Sequence, residues 1–199
     1  MRASTLRDTA RAMSQETIIR KPLSATHSAS RTLEERLMLR FPRLFGAVGR
    51  LTRRLPAKSR LRQTLIWRSV NLGFGAVNRR DFDAVVPRYH PDVEIHVSPA
   101  ILGLGDIEPV YRGREGYRQF YRDWLPAWGG GFQFKPQELI DLGDDRLVAL
   151  VKADFRGQGS GVGLEGSVSF LWTLDQEGRV IREENFLNWE ALEAVGLSE

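Results

Sequence analysis

Few residues in this chain combine a reactive side chain with a spacing that would let two of them act together. The clearest pair is Lys152 and Asp154, in the run Val151-Lys-Ala-Asp-Phe155. Residues two apart on a β-strand share a face, with Cα atoms roughly 7 Å apart. A carboxylate there can take a proton from water or substrate, while the ammonium keeps it ionised and polarises an oxygen. The same spacing also describes a solvated ion pair of little energetic weight, and both readings stay open. Glu183 and Asn185 form a second pair two apart, with Glu183 a candidate partner for Lys152. Glu94 and His96 form a third, on the face opposite Val93, Ile95 and Val97, where solvent or a dimer partner is expected. Tyr111 stands at the end of a loop, where its hydroxyl can donate to a ligand. The three histidines, at 27, 90 and 96, have no metal-ligand spacing, and the chain has no cysteine for disulfides or thiolate sites.

The elements that must position these groups are mostly strands. Leu147, Ala149 and Val151, then Val168, Phe170, Trp172 and Leu174, recur at every second residue, the period of a strand with one buried face. Turn residues around 157–163 and at Gln176-Glu-Gly178 separate three antiparallel strands, about 146–157, 163–175 and 179–188. A further strand is expected over 132–142 and another over 93–97. Helices are predicted over 59–79 and 114–128, the second carrying an aromatic stripe of Tyr117, Phe120, Tyr121, Trp124 and Trp128. Asp81 opens a short helix that Pro87 and Pro91 end early. Residues 98–110 lack any period and read as a mobile loop or lid. Residues 189–196 read as a short closing helix. Helices followed by consecutive antiparallel strands indicate the α+β class, with helices packed on one face of a curved sheet.

The N-terminal part differs in character. Residues 1–80 carry 18 Lys+Arg against 4 Asp+Glu, whereas residues 81–199 carry 11 against 21. Residues 1–31 hold few large apolar groups and are expected to form a disordered basic tail. Asp8 and Glu16 argue against an organellar targeting peptide. Residues 32–58 form a basic amphipathic helical arm, opened by the capping box Thr32-Leu-Glu-Glu35 and split by Pro42. Its apolar stripe can fold back on the domain, or the arm can lie on an anionic membrane or a partner. No nucleic-acid motif accompanies the basic residues, so no specific nucleic acid is expected. No apolar run approaches the roughly 20 residues of a membrane span, and the cysteine-free composition fits a cytoplasmic setting.

Six short motifs resemble, in order, the SnoaL-like branch of the nuclear-transport-factor-2-like, ketosteroid-isomerase-like superfamily. They are Asn78-Arg-Arg-Asp-Phe-Asp83, His90-Pro-Asp-Val-Glu94, Val110-Tyr-Arg-Gly-Arg-Glu-Gly116, Leu142-Gly-Asp-Asp-Arg146, Leu171-Trp-Thr-Leu174 and Gly178-Arg-Val-Ile181. The resemblance covers about 60–195, within a domain taken as 59–199. It implies a cone-shaped roll, a curved mixed sheet closing on helices around an apolar cavity. At the positions matching the isomerase base, its oxyanion tyrosine and the partnering acid, this chain has Val97, a residue near Gly73 and one near Phe170, so that chemistry is not expected. The Arg-x-Asp and Asp of the family's epoxide hydrolases fall on Lys152-Ala-Asp154 and Asn185, and their water-positioning groups on Ile95 and Val97.

By that resemblance Lys152 and Asp154 point into the cavity. Asp154 becomes the expected general base, Lys152 its electrostatic partner, and Asn185 or Tyr111 the orienting donor. Ile95, Val97, Tyr117, Trp124, Phe170 and Trp172 become the wall of a pocket for a hydrophobic molecule. The expected function is small-molecule binding, with isomerase, cyclase or dehydratase chemistry and no cofactor. The competing expectation is a non-catalytic association module, a homodimer through the outer sheet face, with the arm reaching a membrane or partner.

Overall fold

The computed structural model describes residues 18–24, 29–103, 106–127, 131–156 and 163–197. Four strands form its centre: β4 (Gly131–Asp141), β5 (Arg146–Arg156), β6 (Gly163–Leu174) and β7 (Val180–Leu187). They pair antiparallel in sequence order, and β7 then pairs in parallel with β2 (Tyr89–Val97). β1 (Ile19–Pro22) and β3 (Val110–Arg112) close the two edges, giving the order β1-β4-β5-β6-β7-β2-β3. Register shifts at Pro136/Glu138, Thr173/Leu174 and Tyr89/Glu94 bend the sheet, as bulges do. Pro136 and Pro91, which cannot donate to a ladder, sit at two of these breaks.

Inside the curve lie α3 (Arg60–Asn78) and α6 (Gly113–Ala127). Ser59 caps α3 by accepting from the Arg62 amide. Phe74, Ala76 and Val77 of α3 and Tyr117, Phe120, Tyr121 and Trp124 of α6 are buried against the inward faces of β4–β6. The inward residues of β5 are Leu147, Ala149, Val151 and Ala153, in register with Trp172, Phe170, Val168 and Gly166 of β6. The outer face carries a second, smaller core. Ile140, Val148, Leu150 and Leu171 are covered there by Ala191 and Leu192 of α7 (Glu190–Ala194). A buried, doubly bonded ion pair, Arg62 Nε and Nη2 to Asp141 Oδ2 and Oδ1 at 3.0 Å each, ties α3 to the end of β4.

The arm folds back across the mouth of the cone. Thr32 and Glu35 form the expected capping box of α1 (Leu33–Arg40), and Pro42 opens α2 (Pro42–Arg54), where its missing donor costs nothing. Gly49 lies so close to the β6–β7 turn that a Cβ would overlap the Glu177 carbonyl, and Gly178 of that turn takes φ +72°. Arg53 donates to the carbonyls of Asp175 (2.6 Å) and Leu174 (3.1 Å) and pairs with Asp145, while Arg50 pairs with Glu177 at 2.5 Å.

Three expectations change. The tail expected to be disordered over 1–31 contains β1, whose backbone pairs with Leu139–Asp141 and Glu138, and Trp67 Nε1 donates to the Pro22 carbonyl. Residues 1–17 and 25–28 lie outside the described residues. The segment read as a mobile lid holds α5 (Pro99–Leu102), buried Ile101 and Ile107, and edge strand β3; the element over the mouth is instead the arm. Asp81, expected as the cap of α4 (Phe82–Val85), makes no cap bond through its side chain, because Arg31 takes both carboxylate oxygens at 2.6 Å.

Candidate functional site

The catalytic pair expected from the sequence is not in the cavity. Lys152 is exposed and Asp154 half-buried on the outer face of β5, where Asp154 pairs with Lys135 of β4 at 2.5 Å. The cause is the strand period itself. Ala149, Val151 and Ala153 occupy the inward face, so the residues between them must point out. Asp154 and Lys152 therefore lose the roles of base and partner. Tyr111 is likewise spoken for: its hydroxyl donates to Asp123 (2.8 Å) and accepts from the Glu108 amide, and burial pushes it up to about 12. Ile95 and Val97 are buried in the close-packed core rather than in a cavity wall. Trp124 borders only a void of about 10 Å³. Of the expected wall, Tyr117, Phe170 and Trp172 line a real cavity. His96 and Glu94 pair with each other at 3.0 Å on the outer face, as their alternation required.

The cavity lies between α3, the turn before β2 and the sheet, and measures about 110 Å³. Phe74, Phe170 and Trp172 form its aromatic side, with Phe74 edge-on to Phe170 and Phe170 stacked on Trp172. Val70, Val77 and Val180 add aliphatic wall. The narrow end of the cone is filled by Phe120, Tyr121, Trp124, Phe132 and Phe134, which pack ring against ring. Space remains only near the mouth. There the cavity shares Phe45, Ile66, Ser69, Arg88, Leu174 and Gly178 with a groove of about 370 Å³ beneath α1 and α2.

Among the described residues, the one carboxyl group that lines the cavity itself is Glu183 on β7. Its strand is a run of four polar residues, Arg182-Glu-Glu-Asn185, with no alternation to say which pair points inward. Register says it: Glu183 lies opposite Trp172 and Asn185 opposite Phe170, and directly opposed residues share a face. Glu183 is 1% exposed. The Tyr89 hydroxyl donates to its Oε2 at 2.5 Å and Trp172 Nε1 to the same oxygen at 2.7 Å, while Oε1 has no partner among the described residues. Burial raises the carboxyl above its ordinary range, and the Tyr89 and Trp172 donors, with the Asn185 amide nearby, only partly offset this. Tyr89, Tyr117 and Tyr121, packed ring on ring beside it, are held protonated by burial, so they serve as donors. Asn185 is buried next along the strand, with Nδ2 on the His96 carbonyl at 3.5 Å and Oδ1 unpartnered; it borders the small void with Trp124.

The cation lining the cavity is Arg88, which ends the 3₁₀ turn Val86–Arg88. Nη1 donates to the Ala84 carbonyl at 2.5 Å. Neither Glu183 nor Arg88 had a sequence motif to announce it. Counting back from the β6–β7 turn would not have found Glu183, because the bulge between Thr173 and Leu174 shifts the pairing by one residue and so reverses the face. Among the described residues no cluster of three or more His, Asp or Glu side chains could hold a metal ion.

Comparison with known proteins agrees with this architecture. TerC, crystallised with polyporic acid, is 22% identical and superposes with a TM-score of 0.53 over 64% of this chain and 94% of its own. A nuclear-transport-factor-2-like protein of Burkholderia pseudomallei is 19% identical, with a TM-score of 0.53 over 65% and 95%. Bal32a, from a soil-derived mobile gene cassette, is 21% identical, with a TM-score of 0.51 over 60% and 86%. No curated protein matches the chain. The model of the SnoaL-like domain matches residues 73–183, a span from the middle of α3 to Glu183. This chain therefore belongs to the SnoaL-like domain family, in the curved cone fold of nuclear-transport-factor-2-like proteins.

Proposed function

We propose that the protein binds a hydrophobic small molecule at the mouth of the cone and moves a proton on it through Glu183. The observation that carries this reading is a fully buried carboxyl in the wall of an apolar cavity, with one oxygen anchored and the other unpartnered. A carboxyl whose affinity for its proton is raised by burial is suited to donate and retrieve that proton. Tyr89 and Trp172 hold Oε2, which leaves Oε1 for the substrate and fixes the direction of transfer. Asn185 supports the same strand face and is the residue nearest in sequence to an orienting role. Isomerisation, dehydration and cyclisation all reduce to such a transfer at an activated carbon or oxygen. Deuterium incorporation into 2-tetralone, followed by NMR in D2O, tests the idea with a generic enolisable probe. Wild-type protein should accelerate exchange and Glu183→Gln should not. Equal rates for the two would remove Glu183 from the role.

A second reading is favoured by the arm. Leu37, Phe41, Leu44, Val48 and Leu51 are exposed along α1 and α2, and Arg36, Arg43 and Arg54 beside them have no carboxylate partner among the described residues. Exposed apolar groups ringed by cations fit the surface of an anionic bilayer. Among the described residues no helix is long and apolar enough to cross one. Sedimentation with phosphatidylserine vesicles, but not with phosphatidylcholine vesicles, is the expected result, and Leu44→Asp with Leu51→Asp should abolish it. Association of copies belongs to this reading too, on the polar part of the outer face, since α7 covers the apolar part. A monomer in sedimentation equilibrium would set that aside.

A further inference from the structure

We propose that Arg88 is an anion-binding residue, and that the ligand of the cavity is a ring-bearing organic acid whose charged group sits on its guanidinium. This deepens the reading above by naming the ligand class, and rests on it for the location of the site. The comparison that carries it is with Arg62. Both side chains are buried to a similar degree, 7% exposed for Arg62 and 8% for Arg88. Arg62 holds Asp141 with two bonds and reaches the carbonyls of Leu55 and Asp144 as well. Arg88 has the single bond to the Ala84 carbonyl, forms no salt bridge among the described residues, and leaves Nε buried without a partner.

Neither neighbouring carboxyl bonds Arg88: Glu35 is held by Arg79 and the Thr32 amide and acts on it only through its field, and Glu183 is anchored through Oε2 by Tyr89 and Trp172. A guanidinium in this position cannot escape the cost by losing its proton. Burial lowers it only to about 10, so it stays charged at neutral pH. Buried charges are ordinarily paired, and an unpaired one is costly. The one open space beside Arg88 is the cavity and its continuation into the groove, both of which it lines. Gly73 lines the same cavity beside Arg88: a Cβ there would meet Arg88 Cδ at 3.8 Å and Nε at 3.9 Å, ordinary contact distances. The planar fork of an arginine matches a carboxylate with two parallel bonds, and the apolar walls fit the rings behind it.

The test is a matched pair of probes, 2-naphthoate and 2-naphthamide, titrated calorimetrically into the full chain at neutral pH. The acid should bind at least tenfold more tightly than the amide. Arg88→Met, of similar length and without charge, should erase that preference while keeping amide affinity within about twofold. Arg88→Met should also melt higher than the wild type in the absence of ligand, since a buried unpaired charge is gone. Gly73→Leu, which fills the cavity, should weaken both probes. If the acid and amide bind the wild type equally, or the preference survives Arg88→Met, or Gly73→Leu weakens neither probe, the proposal is wrong. Failure of Arg88→Met to fold would also count against it, because it would make the arginine structural. A wild type without acid preference but with tetralone exchange that depends on Glu183 would overturn the anion site and leave Glu183 standing; a wild type with neither would overturn the two readings together.

Discussion

β5 and β7 each present two polar residues at the same spacing, Lys152 with Asp154 and Glu183 with Asn185, and they meet opposite fates. The first pair looks out from a strand whose alternate residues are small and apolar, and Asp154 settles with Lys135 within reach of water. The second pair looks in, opposite Trp172 and Phe170, where every hydrogen bond has to come from protein. Water screens the outer pair and makes it cheap to form and cheap to lose. Burial raises the inner carboxyl's affinity for its proton, because no solvent stabilises its charge. Identical spacing thus carries different chemistry on the two strands, and the neighbours across the ladder make the difference.

Mutations can break or sharpen that contrast. The largest effect is expected where burial and pairing coincide. Asp141→Ala strands Arg62 in the interior and should cost about 3–5 kcal/mol in urea unfolding. A loss as small as that of a surface pair would mean the base of α3 is wet. Next comes Glu183→Ala, which leaves the Tyr89 hydroxyl and the Trp172 N–H without an acceptor. About 1–3 kcal/mol should be lost per orphaned donor, read from the same unfolding curves.

The contrast also has a pH signature. A carboxyl held above its unfolded value binds its proton more strongly in the native state. Its contribution is fully present below the unfolded carboxyl range and is lost as pH rises through the folded value. The stability of the wild type minus that of Glu183→Gln should therefore fall with pH from the ordinary carboxylate range upward, by at most about 1.4 kcal/mol per pH unit. A flat difference would mean that Glu183 ionises normally. The smallest effects belong to the outer pair: Asp154→Asn and Lys152→Ala should leave the melting temperature and tetralone exchange unchanged within error. A large loss of exchange in either variant would return the chemistry to β5.

Much of the scaffold could be read from residue order. The alternation of Leu147-Ala149-Val151 and Val168-Phe170-Trp172 gave strands that match β5 and β6 to within a residue or two. Thr32 and Glu35 gave the capping box, and Pro42 the break between α1 and α2. β1 was missed because four residues with one large apolar group carry no periodic signal, and their strand exists only because β4 offers an open edge. The site was less legible. Lys152 and Asp154 were drawn inward by likeness to relatives against their own strand's alternation, and that alternation was correct.

The sequence by itself determined the class of fold, the strands with a clear period, the starts of the longer helices and the basic arm, because local backbone preferences and hydrophobic periodicity act over a few residues. Only the tertiary structure decided that Glu183 faces the cavity, that Arg88 is buried without a carboxylate bonded to it among the described residues, and that the arm covers the mouth. Those outcomes depend on cross-strand register and on which charges fail to find partners. Both are properties of residues far apart in the chain, and they become defined only when the sheet closes.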